Sequence, residues 1–168
     1  VSYNGKAEEL NKIFETIDEE QKANLEIMRK NTVIHIINGV HSFESIMELK
    51  NQGWKILILG YKDLRRGCDF RLVNNDEIVS KQRVLYNNLD KLFTSFDVVS
   101  FDNLALKQLD VKRFLAPEEW NRFYMGDDGN FTMYIDLVEE EFALNSTSEE
   151  RYPLEKTIED MFKKVRSL

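Results

Sequence analysis

The segment of this sequence best suited to bind an anion contains four basic residues within ten positions. They are Lys62, Arg65, Arg66 and Arg71, in a chain whose net charge is −7. Arginine presents a planar fork to phosphate or carboxylate groups, and Gly60 and Gly67 would let the main chain approach such a group closely. The alternative is a solvated loop in which Asp63 and Asp69 balance the positive charge.

A second set of polar groups follows an apolar run earlier in the chain. Asn38 comes directly after the run Thr32–Ile37, and His41 follows shortly after it. At the end of a strand, Asn38 could donate to a ligand hydroxyl or carboxylate, although Asn-Gly is also typical of a plain turn. His41 could serve acid–base chemistry or simply be exposed. His35, in the middle of the run, is predicted to be a satisfied core residue.

The elements that carry these residues follow a strand–helix–strand pattern. Thr32–Ile37 and Lys55–Leu59 are apolar and rich in β-branched residues, which is typical of strands buried on both faces of a parallel sheet. The amphipathic stretch between them begins at the N-cap residue Ser42 and ends at Gly53. A third short strand is expected within Asp97–Phe101. This pattern predicts an α/β fold with a parallel sheet.

Other stretches are predicted to be helices or loops around that sheet. The helical spacing of Leu10, Ile13, Phe14 and Ile17 indicates a first amphipathic helix. Thr16 and Glu19 fit a capping box for a second, kinked helix carrying Leu25 and Met28. The polar stretch Tyr61–Val73 is expected to be a functional loop. Helices are then expected from about Asp76 and over Leu104–Leu109.

The last third of the chain changes in pattern. Gly126–Asn130 is a dense turn signal, and the segment Phe131–Leu144 is predicted to be a β-hairpin that turns around Val138–Glu140. Pro153 suits the first turn of a final helix. The predicted buried stripe of that helix consists of Leu154, Ile158, Phe162 and Val165.

Length and composition exclude several classes of protein. A chain of 168 residues is expected to form one domain spanning residues 1–168. Its negative charge argues against general nucleic-acid binding. No apolar run is long enough to span a membrane, and the first residues, VSYNGKAEEL, are too polar to be expected in a signal peptide. One cysteine, Cys68, excludes an internal disulfide, and its basic neighbours are expected to lower its pKa. A cytoplasmic location is expected.

Two segments resemble a known family. KILILGYKDLRRG (Lys55–Gly67) and YMGDDGNFTMYIDLVEEEFALNSTSEERY (Tyr124–Tyr152) resemble the C-terminal part of phage and prophage radical S-adenosylmethionine proteins. The resemblance extends over about residues 30–153. It implies a partial (β/α) barrel that binds S-adenosylmethionine, with a [4Fe–4S] cluster held on a CxxxCxxC loop.

The sequence departs from that family in lacking the CxxxCxxC motif. A lone Cys68 cannot supply the thiolates that a cluster requires, so the resemblance implies a C-terminal fragment of a longer enzyme, inactive in isolation. It further implies that Asn38 and Gly60 line the ribose and adenine side of the cofactor. Lys62, Arg65 and Arg66 would face the cofactor carboxylate or a substrate, whether small molecule or peptide, whose identity the resemblance leaves open.

Two other functions remain open at the level of sequence. One is a non-enzymatic interaction module that docks through the hairpin, and the other is an anion-binding module that uses the basic cluster. Self-association through an exposed edge at Thr32–Ile37 is also expected in a fragment, unless the first helix covers that edge.

Overall fold

The structure, a computed structural model, describes residues 2–15, 24 and 27–167, with only the backbone of 13–15. The chain divides into two compact units, Val1–Phe114 and Leu115–Leu168. The α/β fold class is confirmed, with a parallel sheet flanked by helices, a β-hairpin and a C-terminal helix. The organisation of residues 1–168 as one domain stays a prediction.

The first unit contains a parallel sheet whose strands lie side by side in chain order. The strands are β1 (Val33–Ile37), β2 (Lys55–Leu59) and β3 (Val99–Phe101). Val33 is paired with Lys55 and Ile56 with Val99, so all three predicted strands are confirmed. Ser2 adds a parallel bridge to His35 on the outer side of β1. The expected edge at β1 is therefore partly covered, by the residues that precede the first helix.

The two faces of the sheet are unequally buried. Ile34, Ile36, Ile56 and Ile58 have no exposed surface and form the centre of the core. On the other face of β1, His35 is only half-buried, because the burial along this strand alternates. Burial alternates in the same way along β2. The prediction of strands buried on both faces is therefore wrong for β1 and for β2, and so is the placement of His35 in the core.

Helices flank the sheet in the first unit. Those described are α1 (Ala7–Glu15), α2 (Phe43–Met47), α3 (Arg66–Asn87), α4 (Leu89–Ser95) and α5 (Asn103–Leu109). The predicted N-cap is confirmed, since the Ser42 hydroxyl accepts from the Ser45 N–H at 3.1 Å. The predicted first helix is confirmed over α1, with Leu10 buried. The predictions for Thr16, Ile17, Glu19 and Leu25 lie outside the described residues, whereas Met28 is helical, as predicted, and 44% exposed. No helix in the described part combines the length and apolar character needed to cross a bilayer.

The prediction of a loop over Tyr61–Val73 is wrong for its second half, which is helical. Helix α3 begins at Arg66 and runs through a kink at Asn74, whose φ of −121° and ψ of 20° are not helical. The turns before the kink expose Leu72 and Val73 by 84% and 83%, so they have no apolar stripe that could reveal a helix in the sequence. Only the stretch between β2 and Arg66 is a connecting loop.

The second unit is built around an antiparallel sheet and two helices. Its elements are α6 (Pro117–Phe123), β4 (Tyr134–Asp136), β5 (Glu141–Ala143), β6 (Tyr152–Pro153) and α7 (Ile158–Arg166). The predicted hairpin is confirmed by the pairing of β4 with β5. Asp136 stabilises its turn, because Oδ1 accepts from the N–H groups of Val138 and Glu139 at 3.0 and 3.2 Å.

The start of the final helix differs from the prediction. Pro153 lies in β6, and the helix begins at Ile158 after the N-cap Thr157, whose hydroxyl accepts from the Asp160 N–H. Ile158 is 60% exposed, so its place in the predicted stripe is wrong. Val165 is buried as predicted and clusters with Phe142, and Leu154 and Phe162 are partly buried against the same cluster. Met161 is the other buried residue of α7, and the predicted stripe did not include it.

Candidate functional site

The carboxyl ends of β1, β2 and β3 meet at one edge of the parallel sheet. Asn38 follows β1, and its N–H donates to the Leu59 oxygen at the end of β2 at 2.9 Å. Asp102 follows β3, and its N–H donates to the Ile58 oxygen at 3.1 Å. Open α/β sheets bind ligands at such an edge, so these residues mark the candidate site.

A side chain from α5 joins the ends of β1 and β2. The Gln108 Oε1 atom accepts from Asn38 Nδ2 and from the Tyr61 N–H, each at 2.9 Å. Gln108 Nε2 donates to the Tyr61 oxygen, also at 2.9 Å. Gln108 therefore satisfies both main-chain groups of Tyr61 and fixes the Asn38 amide beside them.

Asn38 itself is almost completely enclosed. It is 1% exposed, and its Oδ1 atom is buried without a hydrogen-bond partner among the described residues. Leaving a buried acceptor unpaired costs about 1–3 kcal/mol. A buried polar atom without a hydrogen-bond partner needs an explanation in a native fold, and one explanation is that a bound ligand donates a hydrogen bond to it.

Gly60, the other predicted cofactor-lining residue, is packed against α5. Its N–H donates to Asp102 Oδ1 at 2.9 Å, and the same oxygen accepts from the Ala105 N–H at 2.7 Å. A Cβ atom on Gly60 would lie 2.6 Å from Leu104 Cβ and 2.8 Å from Ala105 N. Helix packing therefore explains the glycine, and a role in lining the cofactor stays a prediction.

The basic cluster lies where β2 leads into α3. Lys62, Arg65 and Arg66 are exposed, and Arg66 is the first residue of the 22-residue helix. Arg65 adopts φ 49° and ψ −123°, an uncommon conformation for a residue other than glycine. Arg71 differs from these three, because its Nε lies 3.2 Å from Asp63 Oδ2 and its guanidinium covers the Tyr61 ring.

Cys68 is exposed in the first turns of α3, but its environment is the opposite of the expected one. Partial desolvation raises the pKa of its thiol, and the Asp63 carboxylate, which accepts a hydrogen bond from it, raises that pKa further. The expected lowering by neighbouring arginines is therefore wrong. A raised pKa reduces the thiolate fraction at neutral pH and argues against a nucleophilic role.

His41 is buried and structural rather than exposed. Its Nδ1 accepts from the Ile37 N–H at 3.0 Å, and its Nε2 lies 2.7 Å from the Tyr3 oxygen, so the neutral ring carries its proton on Nε2. Its ring stacks on that of Tyr3, and the Tyr3 hydroxyl donates to the Ser45 oxygen. A groove of about 330 Å³ beside it is lined in part by Tyr3, Ser42 and Lys81.

The predicted hairpin surface is divided between exposed and internal side chains. Phe131 is 68% exposed, whereas Tyr134 is half-buried. The Tyr134 hydroxyl donates a hydrogen bond to Asp136, and the Arg151 guanidinium lies over the Tyr134 ring. The most exposed large apolar side chains of the hairpin are Leu137 and Val138 at the turn. Docking through this hairpin stays a prediction.

The structure brings some predicted site residues together and adds one that the sequence did not indicate. Asn38 and the residues after Gly60 meet at the ends of adjacent strands, through Gln108. The sequence contained one sign of a role for Gln108, which is a polar residue on the same helix as the buried Ala105 and Leu109. The described residues contain no group of three metal-binding side chains.

No family model, no curated protein and no solved structure matches this chain. The family named from the two sequence segments therefore stays a prediction, and the site has to be interpreted from its own geometry.

Proposed function

We propose that this chain supplies part of the barrel wall, and part of the S-adenosylmethionine and substrate pocket, of a radical S-adenosylmethionine enzyme. The observation that carries the proposal is the buried, unpaired Oδ1 of Asn38 at the carboxyl edge of the sheet. The parallel strands in chain order also support it, because consecutive strands are neighbours in a (β/α) barrel.

The donor groups of S-adenosylmethionine complement this edge. The cofactor carries two ribose hydroxyls, an adenine amino group and an ammonium group, each of which can donate to a carbonyl oxygen. Asn38 Oδ1 is an acceptor of that kind. Lys62, Arg65 and Arg66 are exposed after β2 and would attract the cofactor carboxylate or an anionic substrate.

The [4Fe–4S] cluster of the family does not fit the residues of this chain. The sequence contains one cysteine, whereas the cluster requires three or four thiolates. In this proposal the cluster ligands belong to a segment outside residues 1–168, and the chain by itself is inactive. The substrate is not specified by the proposal.

A titration with S-adenosylmethionine tests the cofactor pocket. We expect weak binding by saturation-transfer NMR, because the cluster that would anchor the amino and carboxylate groups is absent, and we expect Asn38→Leu to abolish it. Lys107→Ala, on an exposed position of α5, is the control. Absence of binding, or binding unaffected by Asn38→Leu, would contradict the pocket. Micromolar affinity would contradict the need for a further segment.

The source gene provides an independent test. The proposal requires a reading frame that continues upstream of Val1 and encodes clustered cysteines. An upstream region without them would overturn the enzyme assignment, whatever the result of the titration.

Anion binding without catalysis is the second candidate. It is favoured by the position of Arg66 at the start of α3, whose first segment runs to the kink at Asn74, with Lys62 and Arg65 exposed beside it. The partial positive charge of a helix N-terminus adds to that of the side chains. The pair Arg65→Ala and Arg66→Ala should abolish calorimetric binding of pyrophosphate.

The matched control for that experiment removes the same charge elsewhere. Arg83→Ala with Lys107→Ala changes two exposed cations on α3 and α5. Equal losses in both double variants would indicate general electrostatic attraction, which salt screens, and would contradict a specific site.

A further inference from the structure

We propose that Gln108 is a positioning residue that fixes the Asn38 amide with its oxygen unpaired, so that the Asn38 subsite of this edge selects a hydrogen-bond donor rather than an anion. The inference rests on the proposed function in taking the carboxyl edge as the ligand-binding edge and adenosine as the probe. The chemistry of the selected group follows from the main chain of Tyr61.

The orientation of the Gln108 amide is dictated by main-chain groups that cannot exchange roles. The Tyr61 N–H can only donate and the Tyr61 oxygen can only accept. Gln108 lies 2.9 Å from both of these groups. Its Oε1 must therefore face the N–H, and its Nε2 must face the oxygen. If the amide were flipped, Nε2 would face the Tyr61 N–H, donor against donor, and Oε1 would face the Tyr61 oxygen, acceptor against acceptor.

This orientation then decides that of Asn38. The group that Gln108 presents to Asn38 is Oε1, at 2.9 Å from Asn38 Nδ2. Only the NH₂ end of Asn38 can meet an acceptor, so its Oδ1 points away from Gln108. The Asn38 side chain is 1% exposed, and Oδ1 has no partner among the described residues. The ends of β1 and β2 are thus prepared to offer one buried acceptor.

An acceptor in this position distinguishes between classes of ligand. A hydroxyl, amino or ammonium group satisfies it, whereas sulfate presents only oxygen acceptors and would meet it with repulsion. The neighbouring cluster of Lys62, Arg65 and Arg66 has the opposite preference. The edge therefore has two subsites, one for a donor group at Asn38 and one for an anionic group at the cluster.

The full chain titrated with adenosine and with sodium sulfate tests the assignment. We expect Asn38→Leu and Gln108→Met each to weaken adenosine binding about tenfold, the value of one buried hydrogen bond. Asn38→Leu, which leaves the main-chain partners of Tyr61 in place, should leave sulfate binding unchanged. Lys107→Ala, next to Gln108 on the exposed side of α5, should alter neither. Circular dichroism shows whether each variant is folded.

A measurement on the unaltered chain keeps the proposal testable if a variant does not fold. In a crystal structure with adenosine, a hydroxyl or amino group should lie within about 3.2 Å of Asn38 Oδ1. The inference would be overturned if adenosine did not bind, or if the Asn38→Leu variant bound adenosine as tightly as the wild type. A crystal structure with sulfate in contact with Asn38 Oδ1 would also overturn it. Adenosine binding at Asn38 without S-adenosylmethionine binding would overturn only the proposed function.

Discussion

The Tyr61 hydroxyl donates a 2.6 Å hydrogen bond to the main-chain oxygen of Gly67. This bond ties the first turn of α3 to the residue that follows Gly60 at the end of β2. Gly67 also lies against the loop, since a Cβ atom there would overlap the main-chain oxygen of Lys62. The relative positions of Lys62 and Arg66 in the basic cluster therefore depend on Tyr61 and Gly67.

Substitution of Gly67 should loosen this junction. Gly67→Ala is expected to lower the free energy of unfolding by about 1–3 kcal/mol, because the Lys62 oxygen would have to move. Tyr61→Phe should cost about 1 kcal/mol through the lost hydrogen bond. Urea unfolding measures both, with Leu72→Ala, at an 84% exposed position on α3, as the control. A neutral Gly67→Ala would show that the close approach does not constrain the loop.

The packing of Gly60 against Leu104 predicts a coupled pair of substitutions. Gly60→Ala should destabilise the chain by about 1–3 kcal/mol, because the new methyl group meets the Leu104 side chain. Adding Leu104→Ala should recover part of that loss, because it removes the Cγ atom that lies nearest to the new methyl group. The Cβ atom of residue 104, at 2.6 Å, and the Ala105 nitrogen, at 2.8 Å, still oppose it. A double-mutant cycle in urea measures the coupling. Strictly additive effects would refute the packing explanation for Gly60.

Tyr3 should control access to the edge of β1. Its N–H donates to the His35 oxygen, its hydroxyl donates to the Ser45 oxygen, and its side chain is 5% exposed. Tyr3→Ala is expected to cost about 3 kcal/mol and to increase self-association, because the main-chain groups of β1 become available. Equilibrium sedimentation measures the association. Tyr3→Phe, which keeps the ring beside His41, is the control and should associate no more than the wild type.

The reactivity of Cys68 should reveal the effect of Asp63. The raised pKa leaves less thiolate at pH 7 than an ordinary cysteine has, so alkylation by iodoacetamide should be slow and should accelerate with pH. Asp63→Asn removes a cause of the raised pKa and should increase the rate at pH 7 several-fold. Asp90→Asn, at an exposed position on α4, is the control. An unchanged rate in Asp63→Asn would contradict the carboxylate's influence.

The hydrophobic pattern of the sequence was sufficient to predict a helix or strand wherever that element buries one regular face. The runs that became β1 and β2 are apolar and β-branched, and Ser42 fits its N-cap role by local chemistry alone. The pattern failed at the start of α3, where the exposed Leu72 and Val73 lie before the kink. It also misplaced Pro153, because a proline suits an edge strand as well as a helix start.

The sequence by itself determined the α/β class, the three parallel strands and the polar residues at their ends, because burial and capping depend on local periodicity and residue type. Only the tertiary structure decided which groups meet there. Gln108 reaches Asn38 across 70 positions of the chain, and His41 is buried by Tyr3 from the start of the chain. Such contacts depend on how helices and strands pack, and no local pattern encodes that packing.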